Sequence, residues 1–238
     1  MRYRILAKKN ALITGGSGGL GREIAIELAK HGSNLYLTGR DAAKLARLKD
    51  ELSAYDIKVE YGTGDLKSIE DINVIINDIK GKLPGIDIIV NCAGVFLAKS
   101  VMDSTPEDFE NCFNLNVRAP FMLCKALVQG MVERGWGRIV NIGSSSAYQG
   151  FKDTLIYCAS KHALLGLSRA LNDELKMHNV RTFCISPSAI RTEMGRKLKD
   201  QDFETFLDPK EVAEYISFAI SFDTELISEE IRLNRIVI

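Results

Sequence analysis

The sequence predicts an α/β fold, a doubly wound parallel sheet of about seven strands with helices on both faces. Short apolar runs alternate with amphipathic runs of helical length along the chain. The first apolar run ends in a cluster of glycines, and small or polar residues follow several later runs. Alternating strands and helices favour a parallel sheet, and no linker, repeat or low-complexity run interrupts them. We therefore predict a single domain over residues 1–238.

The composition argues against several classes of protein, among them nucleic-acid-binding and membrane proteins. The chain has 238 residues and 46% hydrophobic content, which is enough to bury a sizeable core. Its 31 Lys and Arg residues balance 31 Asp and Glu residues, so neither nucleic acid nor an acidic membrane surface is expected as a partner. No apolar run approaches about 18 residues, so no membrane span is expected. Residues 1–10 lack the apolar stretch of a signal peptide.

The five cysteines form no CxxC pair and no His/Cys cluster with metal-ligand spacing. Their number is odd. We therefore expect reduced thiols, mostly in the core, no metal site and a cytoplasmic location.

The first strand and its glycine turn predict a phosphate site. Residues 10–14 form a short apolar run, residues 14–21 contain five glycines, and an amphipathic run follows to Lys30. A strand, a glycine-rich turn and a helix in this order form the Rossmann layout, which binds dinucleotides. Glycines let the backbone approach a pyrophosphate, and the helix N-terminus offers free N–H groups to the anion. A flexible turn is the alternative interpretation of the glycines.

The end of the second strand, residues 34–38, predicts which cofactor is bound. An NAD site usually has Asp or Glu there for the ribose 2′-hydroxyl, whereas this chain has Gly39 and Arg40. A guanidinium suits a 2′-phosphate, so NADP(H) is favoured over NAD(H). In the alternative interpretation, Arg40 is a solvated loop residue and Asp41 binds the hydroxyl.

The remaining elements follow in order. Predicted strands cover residues 58–62, 86–90, 138–142, 181–186 and 231–238, and predicted helices cover residues 41–55, 68–80, 105–133 and 155–178, with another beginning at Asp208. Residues 188–207 are polar and are expected to be mobile. Asn114 and Asn116 are poor helix-interior residues, so they are either tolerated polar contacts or the mark of a local distortion that supports a site. Asp65 is either an adenine ligand or a turn carboxylate.

Tyr157 and Lys161 lie four residues apart in a predicted helix. This spacing places the phenol and the ammonium on one face, where nearby positive charge favours the phenolate and lowers the pKa of the tyrosine. A phenol tuned in this way donates a proton near neutral pH. An ordinary pair on an amphipathic helix is the alternative.

Several separated motifs together resemble the short-chain dehydrogenase/reductase family over nearly the whole chain. They are Thr14-Gly15-x-x-x-Gly19-x-Gly21, Asp65, Asn91-Cys92-Ala93-Gly94, Asn116, Ser144 thirteen residues before Tyr157, Lys161, and the segment from Ser186 to Thr192. Cys92 and Ser188 depart from the family pattern. The resemblance implies a cofactor half over about residues 1–115 and a catalytic and substrate half over about residues 116–238.

The resemblance also implies roles for these residues. The catalytic set is Asn116, Ser144, Tyr157 and Lys161, with Ser145, Ser146 and Ser160 as serines that compete with Ser144. The predicted cofactor contacts are Gly15, Ser17, Gly18, Gly19, Leu20, Gly21, Arg40, Asp65, Leu66, Asn91, Ala93, Gly94, Tyr157, Lys161, Pro187, Ile190 and Thr192. Hydride passes from NADPH to a carbonyl carbon, Tyr157 gives the proton, and Asn116 supports a water that relays protons to Lys161.

The outline is most similar to the 3-oxoacyl acyl-carrier-protein reductases, so an acyl thioester is the leading substrate and an acyl carrier protein a possible partner. Arg196, Lys197 and Lys199 suit an acidic carrier. The family's C-terminal Asn-Gly-Gly is Asn234-Arg235-Ile236 here, which argues against this substrate. The alternatives are an NAD-dependent alcohol or sugar dehydrogenase and a non-catalytic dinucleotide-binding regulator. Family members commonly form homodimers or homotetramers.

Overall fold

A computed structural model describes residues 2–198 and 201–236, and its seven strands form one parallel sheet in the order β3-β2-β1-β4-β5-β6-β7. The strands are β1 (Asn10–Thr14), β2 (Asn34–Gly39), β3 (Val59–Thr63), β4 (Ile88–Asn91), β5 (Gly137–Ile142), β6 (Val180–Pro187) and β7 (Glu230–Leu233). The order reverses between β1 and β4, and in open α/β sheets such a reversal leaves a crevice at the carboxyl ends of the strands. The predicted fold class is confirmed.

Helices cover both faces of the sheet. They are α1 (Gly19–Lys30), α2 (Ala42–Leu52), α3 (Ile69–Lys82), α4 (Pro106–Phe113), α5 (Ala119–Arg134), α6 (Leu155–Leu175) and α7 (Pro209–Ile220). Successive strand residues point to opposite faces, so Ile13 packs in the layer of α1, α2 and α7, and Leu12 packs in the layer of α3 and α5. Among the described residues, no helix is both long and apolar enough to cross a membrane.

The predicted long helix over residues 105–133 is divided by a π-helical turn. α4 ends at Phe113, residues Asn114–Arg118 are π-helical, and α5 begins at Ala119. Pro120 explains the break, because it has no N–H to donate and its ring collides with the carbonyl of the residue four positions earlier, which is Asn116. The two asparagines therefore do mark a local distortion.

Residues 188–207 were expected to be mobile, but hydrogen bonds hold both ends of the segment in the part of it that the structure describes. Near β6, the Ser188 N–H donates to the Leu233 carbonyl at 2.8 Å, and Ala189 and Arg191 bond to Leu207.

Near the end of the segment, Arg235 donates to Thr205 Oγ1 at 3.1 Å and to Gln201 Oε1 at 2.9 Å. Lys199, which was predicted to suit an acidic carrier, lies outside the described residues. Residues 237–238, the last two of the final predicted strand, also lie outside the described residues. In the structure this strand, β7, ends at Leu233.

A buried polar ladder joins α6 to the middle of the sheet. Asn91 Nδ2 donates to Asn141 Oδ1 at 2.8 Å, and Asn141 Nδ2 donates to Ser168 Oγ at 2.9 Å. All three residues are buried, and the ladder runs from β4 through β5 to α6. Because α6 also carries Tyr157 and Lys161, the ladder helps to fix the position of these two residues relative to the carboxyl ends of the strands.

We predict that Asn141→Leu lowers the free energy of unfolding by about 2–3 kcal/mol, because the Asn91 amide and the Ser168 hydroxyl both lose a buried partner. Asn77→Leu, on the exposed face of α3, is the matched control and should change stability by less than about 0.5 kcal/mol. Urea denaturation of the two variants makes the comparison. Equal stabilities would show that the ladder contributes nothing.

Candidate active site

The glycine loop, residues 15–21, is held against the segment that follows β4. Gly15 has φ +69°, and a Cβ there would lie 3.0 Å from the backbone N and Cα of Ala93. A Cβ at Gly21 would lie 2.2 Å from the carbonyl oxygen of Gly15. Glycine is therefore required at both positions, by backbone conformation at one and by close approach at both.

Thr14, the last residue of β1, stabilises the contact between the glycine loop and the segment that follows β4. Its Oγ1 accepts hydrogen bonds from the N–H groups of Cys92 and Ala93, each at 3.0 Å. In the sequence, Thr14 belongs to the loop motif and has no predicted role of its own. A hydroxyl at the last position of a buried strand, beside a glycine turn, is the signal that identifies it.

The loop also contacts two more of the segments predicted to bind the cofactor. A Cβ at Gly19 would lie 2.7 Å from Thr192 Cγ2, and a Cβ at Gly39 would lie 2.8 Å from Ser17 Oγ. The N-cap of α1, Gly18, makes no side-chain capping bond, so the first N–H groups of the helix have no side-chain partner there. A backbone cradle at a helix N-terminus fits the pyrophosphate of a dinucleotide.

At the tip of β2, the side chain of Arg40 is exposed and forms no ion pair with any residue that the structure describes. Asp41 is engaged by its own helix, since its Oδ1 accepts the N–H of Lys44 at 3.0 Å and caps α2. The cation therefore faces solvent beside Ser17 and Gly39, while the nearest carboxylate caps a helix.

The other predicted cofactor residues divide into three groups. Asp65 accepts the N–H of Lys67 at 3.0 Å, as a turn carboxylate does, and is half-exposed, while Leu66 is buried in the core beneath α3. Pro187 ends β6, and Ile190 bridges to Leu207 beside the loop. Ala93 and Gly94 line the end of β4.

The side chain of Asn91 is buried in the sheet. It donates to Asn141 and contacts Cys124 Sγ of α5 at 3.7 Å, so the predicted contact of Asn91 with the cofactor would be made by its backbone. Only its backbone is left to face the loop. The sequence could not show this, because the direction of a side chain at a strand end depends on the register of the sheet.

Ser144 lies near the Tyr157 phenol, close enough to oppose the rise in the pKa of that phenol. Ser144 comes from the turn after β5, where its Oγ also accepts the N–H of Ser146 at 3.1 Å. Ser160, one of the competing serines, instead donates to the backbone carbonyl of Tyr157 at 2.7 Å. Of these two serines, Ser144 is therefore the one whose side chain lies near the phenol.

Lys161 lies behind Tyr157 in a nearly closed environment. Its Nζ donates to the carbonyl of Ile142 at 2.8 Å and lies 5.7 Å from the centroid of the Tyr157 ring. Burial lowers the pKa of Lys161. The neighbouring thiols of Cys92, Cys112 and Cys184 have pKa values raised by burial, so they stay protonated near neutral pH. All five cysteines are free, as predicted.

The expected fall in the pKa of Tyr157 does not occur. Burial raises the pKa of Tyr157 to about 12, and the nearby Ser144 opposes this increase only in part. Desolvation has this effect because the phenol is almost fully enclosed, and enclosure disfavours the charged phenolate. Tyr157 is therefore a protonated donor throughout the neutral range.

Asn116 holds the chain that follows β4. Its Oδ1 accepts the N–H of Val95 at 2.9 Å, and its Nδ2 donates to the Val95 carbonyl at 3.1 Å and to Ser160 Oγ at 3.0 Å. The side chain therefore links the π-helical turn to two walls of the site. No residue near Asn116 in sequence predicts this contact, since Val95 lies 21 positions away.

Within the described ranges, no group of three or more His, Cys, Asp or Glu residues is arranged to hold a metal ion.

We predict that Gly21→Ala weakens NADPH binding at least tenfold and lowers stability by about 1–3 kcal/mol, because the new methyl group overlaps the Gly15 carbonyl. In the matched control, Gly81→Ala near the end of α3, the methyl group meets nothing within 4 Å and should raise stability by about 0.5 kcal/mol. Fluorescence titration with NADPH and thermal unfolding report the two effects. Normal NADPH affinity in Gly21→Ala would exclude the loop as the cofactor cradle.

Comparison with known proteins identifies the family. The family model described as short chain dehydrogenase matches residues 9–202. An uncharacterized oxidoreductase of Staphylococcus saprophyticus is 32% identical over 219 residues, covering 90% of this chain and 92% of that protein. A 3-oxoacyl acyl-carrier-protein reductase of Aquifex aeolicus is 31% identical over 236 residues, covering 95% of each chain.

Solved structures agree with this family assignment. An alcohol dehydrogenase from Thermococcus sibiricus complexed with 5-hydroxy-NADP superimposes with a TM-score of 0.88 at 25% identity, covering 96% of this chain and 97% of that chain. An L-sorbose reductase from Gluconobacter frateurii with NADPH and L-sorbose gives 0.86 at 27% identity, covering 96% and 95%. The chain therefore belongs to the short-chain dehydrogenase family of NAD(P)-dependent oxidoreductases.

Proposed function

We propose that this protein is an NADPH-dependent carbonyl reductase that uses Tyr157 as the proton donor. The observation that carries the proposal is the arrangement around the buried Tyr157: Lys161 Nζ lies 5.7 Å from the centroid of its ring, and Ser144, on the turn after β5, lies near its phenol. A non-catalytic regulator has no need for this arrangement, which makes that alternative the weaker one.

The reduced nicotinamide, when bound, supplies a hydride to the carbonyl carbon of the substrate. Tyr157 donates its proton to the carbonyl oxygen, so the carbonyl becomes an alcohol and the cofactor is oxidised by two electrons. Ser144 stabilises the negative charge that develops on that oxygen. Lys161 stabilises the phenolate left on Tyr157, and Asn116 serves the return of a proton to Lys161. The glycine loop, Ser17, Arg40 and Thr192 hold the cofactor.

Replacing Tyr157 with Phe tests the chemical step. We expect turnover to fall by about 10²–10⁴-fold or more, since the proton donor is removed, while NADPH still binds. Tyr215→Phe, on the exposed face of α7, is the matched control and should retain full activity. Steady-state kinetics and a cofactor titration on each variant separate chemistry from binding. Near-normal turnover of Tyr157→Phe would refute the assignment.

NADP(H) preference is proposed from the tip of β2, where the exposed Arg40 has no carboxylate partner among the described residues and Ser17 Oγ lies against Gly39. Structures similar to this chain contain NADP or NADPH, which supports the preference. The alternative is an NAD-dependent alcohol or sugar dehydrogenase.

Arg40→Ala should raise the KM for NADPH by about tenfold or more, because a charge-assisted contact to phosphate is lost, and should leave the KM for NADH unchanged. The control Arg47→Ala removes an exposed arginine of α2 and should affect neither constant. Kinetics with both cofactors decide the point. A wild-type protein that prefers NADH would overturn the cofactor assignment and leave the catalytic set standing.

As the specific substrate we propose a 3-oxoacyl thioester, with an acyl carrier protein as a possible partner. The Aquifex aeolicus relative supports it, as do the exposed Arg196 and Lys197 in the segment after β6. Arg235, which replaces a glycine of the family's tail and binds Gln201 and Thr205, is the feature that argues against it.

The first assay follows NADPH absorbance with an acetoacetyl thioester. Rapid oxidation supports the acyl substrate, and its absence excludes that substrate.

We also propose that the protein is a cytoplasmic homodimer or homotetramer. Its five free thiols agree with a reducing compartment. Around α4, α5 and α6, exposed Phe109 and Phe121 border a shallow apolar cleft of about 330 Å³ lined by Phe113, Val117 and Leu167. Such a face suits a second copy of the chain.

Light scattering should give two or four times the 26.4 kDa of the chain. Phe121→Lys should lower this mass, whereas Val74→Lys on the exposed face of α3 should not. A monomeric wild-type protein would refute the oligomer.

A further inference from the structure

A half-exposed apolar wall stands beside the proton donor. Val95, Phe96 and Leu97 follow β4 and pack against Ile156 and Tyr157 of α6. The Phe96 ring meets the Tyr157 ring edge to face, with centroids 5.0 Å apart and an interplanar angle of 79°. Unlike Ile156 and Tyr157, the three residues after β4 are only partly buried. Their remaining apolar surface therefore lies next to the catalytic phenol.

The apolar wall is fixed in place. Asn116 binds both the N–H and the carbonyl of Val95, as described above. Further along, Lys99 bridges to Thr154, and its N–H donates to the Asp153 carbonyl at 2.6 Å. The wall thus runs beside the start of α6 and is tied to the same elements that carry the catalytic residues, so its distance from Tyr157 is set before any substrate arrives.

The charge of Lys99, two residues beyond Leu97, is paired, since its ammonium lies 2.6 Å from Asp108 Oδ2 of α4. Phe151, three residues before Thr154, adds an aromatic side chain that is 44% exposed. A polyol bound against the wall would leave hydroxyl groups without hydrogen-bond partners, which is unfavourable, whereas an alkyl or aryl group would be removed from water there.

We propose that the substrate is a carbonyl compound with an apolar substituent of several carbons, which lies against Phe96 and Leu97, and that Phe96 determines this specificity. The inference rests on the proposed carbonyl reduction and adds the substrate class. It separates two kinds of substrate named for related proteins, 3-oxoacyl groups and L-sorbose.

The first experiment measures kcat/KM with NADPH for 2-butanone, 2-hexanone, 2-octanone and L-sorbose. Removing each methylene from water should raise kcat/KM about threefold to fourfold along the ketone series, until the wall is covered. L-Sorbose should be the poorest substrate. If L-sorbose is reduced faster than 2-octanone, the apolar class is wrong while the reductase function stands.

Variants of Phe96 test its role. Phe96→Ser should flatten the dependence of kcat/KM on chain length, and Phe96→Leu should retain most of it. Tyr215→Ser, which removes an exposed aromatic ring far along the chain on α7, is the matched control and should leave the dependence unchanged. If Phe96 only positions Tyr157, Phe96→Ser will lower kcat/KM by one common factor for all ketones, and the proposal fails.

A binding measurement separates this inference from the reductase function. Thermal unfolding is followed with NADP⁺ present and either 2-octanol or sorbitol added, since a ligand that binds the folded protein raises its Tm. We expect a rise with 2-octanol only, and its loss in Phe96→Ser. That result without turnover of any ketone or of the acetoacetyl thioester would support the apolar site and refute the reductase. No rise with 2-octanol would overturn the apolar site.

Discussion

The close approach of Gly15 to Ala93 is the constraint on which the rest of the site depends. β1 and β4 are neighbours in the sheet although two strands and three helices separate them in the chain. At their carboxyl ends the backbones come so near that a Cβ on Gly15 would lie 3.0 Å from Ala93. Thr14 Oγ1 links the same two segments by accepting hydrogen bonds from the N–H groups of Cys92 and Ala93. A cradle made of backbone atoms therefore forms at the point where the strand order reverses.

The proposed catalytic residues are attached to this frame by buried polar contacts. The ladder through Asn141 places α6 on the sheet, and Asn116 places the segment after β4 against α6. Each contact lies inside the protein, where an unpaired polar group is costly, so the alternatives to this geometry are unfavourable. Burial also sets the electrostatics: it keeps Tyr157 protonated and lowers the pKa of Lys161. The same low-dielectric environment strengthens any interaction with charge that develops in the site.

Two features of this chain set its substrate side apart. The segment over residues 188–207 is held by two sets of hydrogen bonds. Its first residues bond to Leu207, and Arg235, at a position where the family has glycine, donates to Gln201 and Thr205. The segment after β4 is apolar and lies against Tyr157. Both segments lie beside residues of the proposed site, and proteins that share a fold differ in function through such sites and not through the fold itself.

The sequence by itself determined the fold class, the glycine loop and the pairing of Tyr157 with Lys161, because these depend on local periodicity, on glycine and on helical spacing. It also singled out Ser144, through its distance from Tyr157. The π-helical interruption at residues 114–118 could have been predicted from the sequence, because Pro120 lies four residues after Asn116. Only the tertiary structure decided that Asn91 faces α5, that Asn116 binds Val95 and that the pKa of Tyr157 rises. Those outcomes depend on strand register and on burial, which arise from residues far apart in the chain.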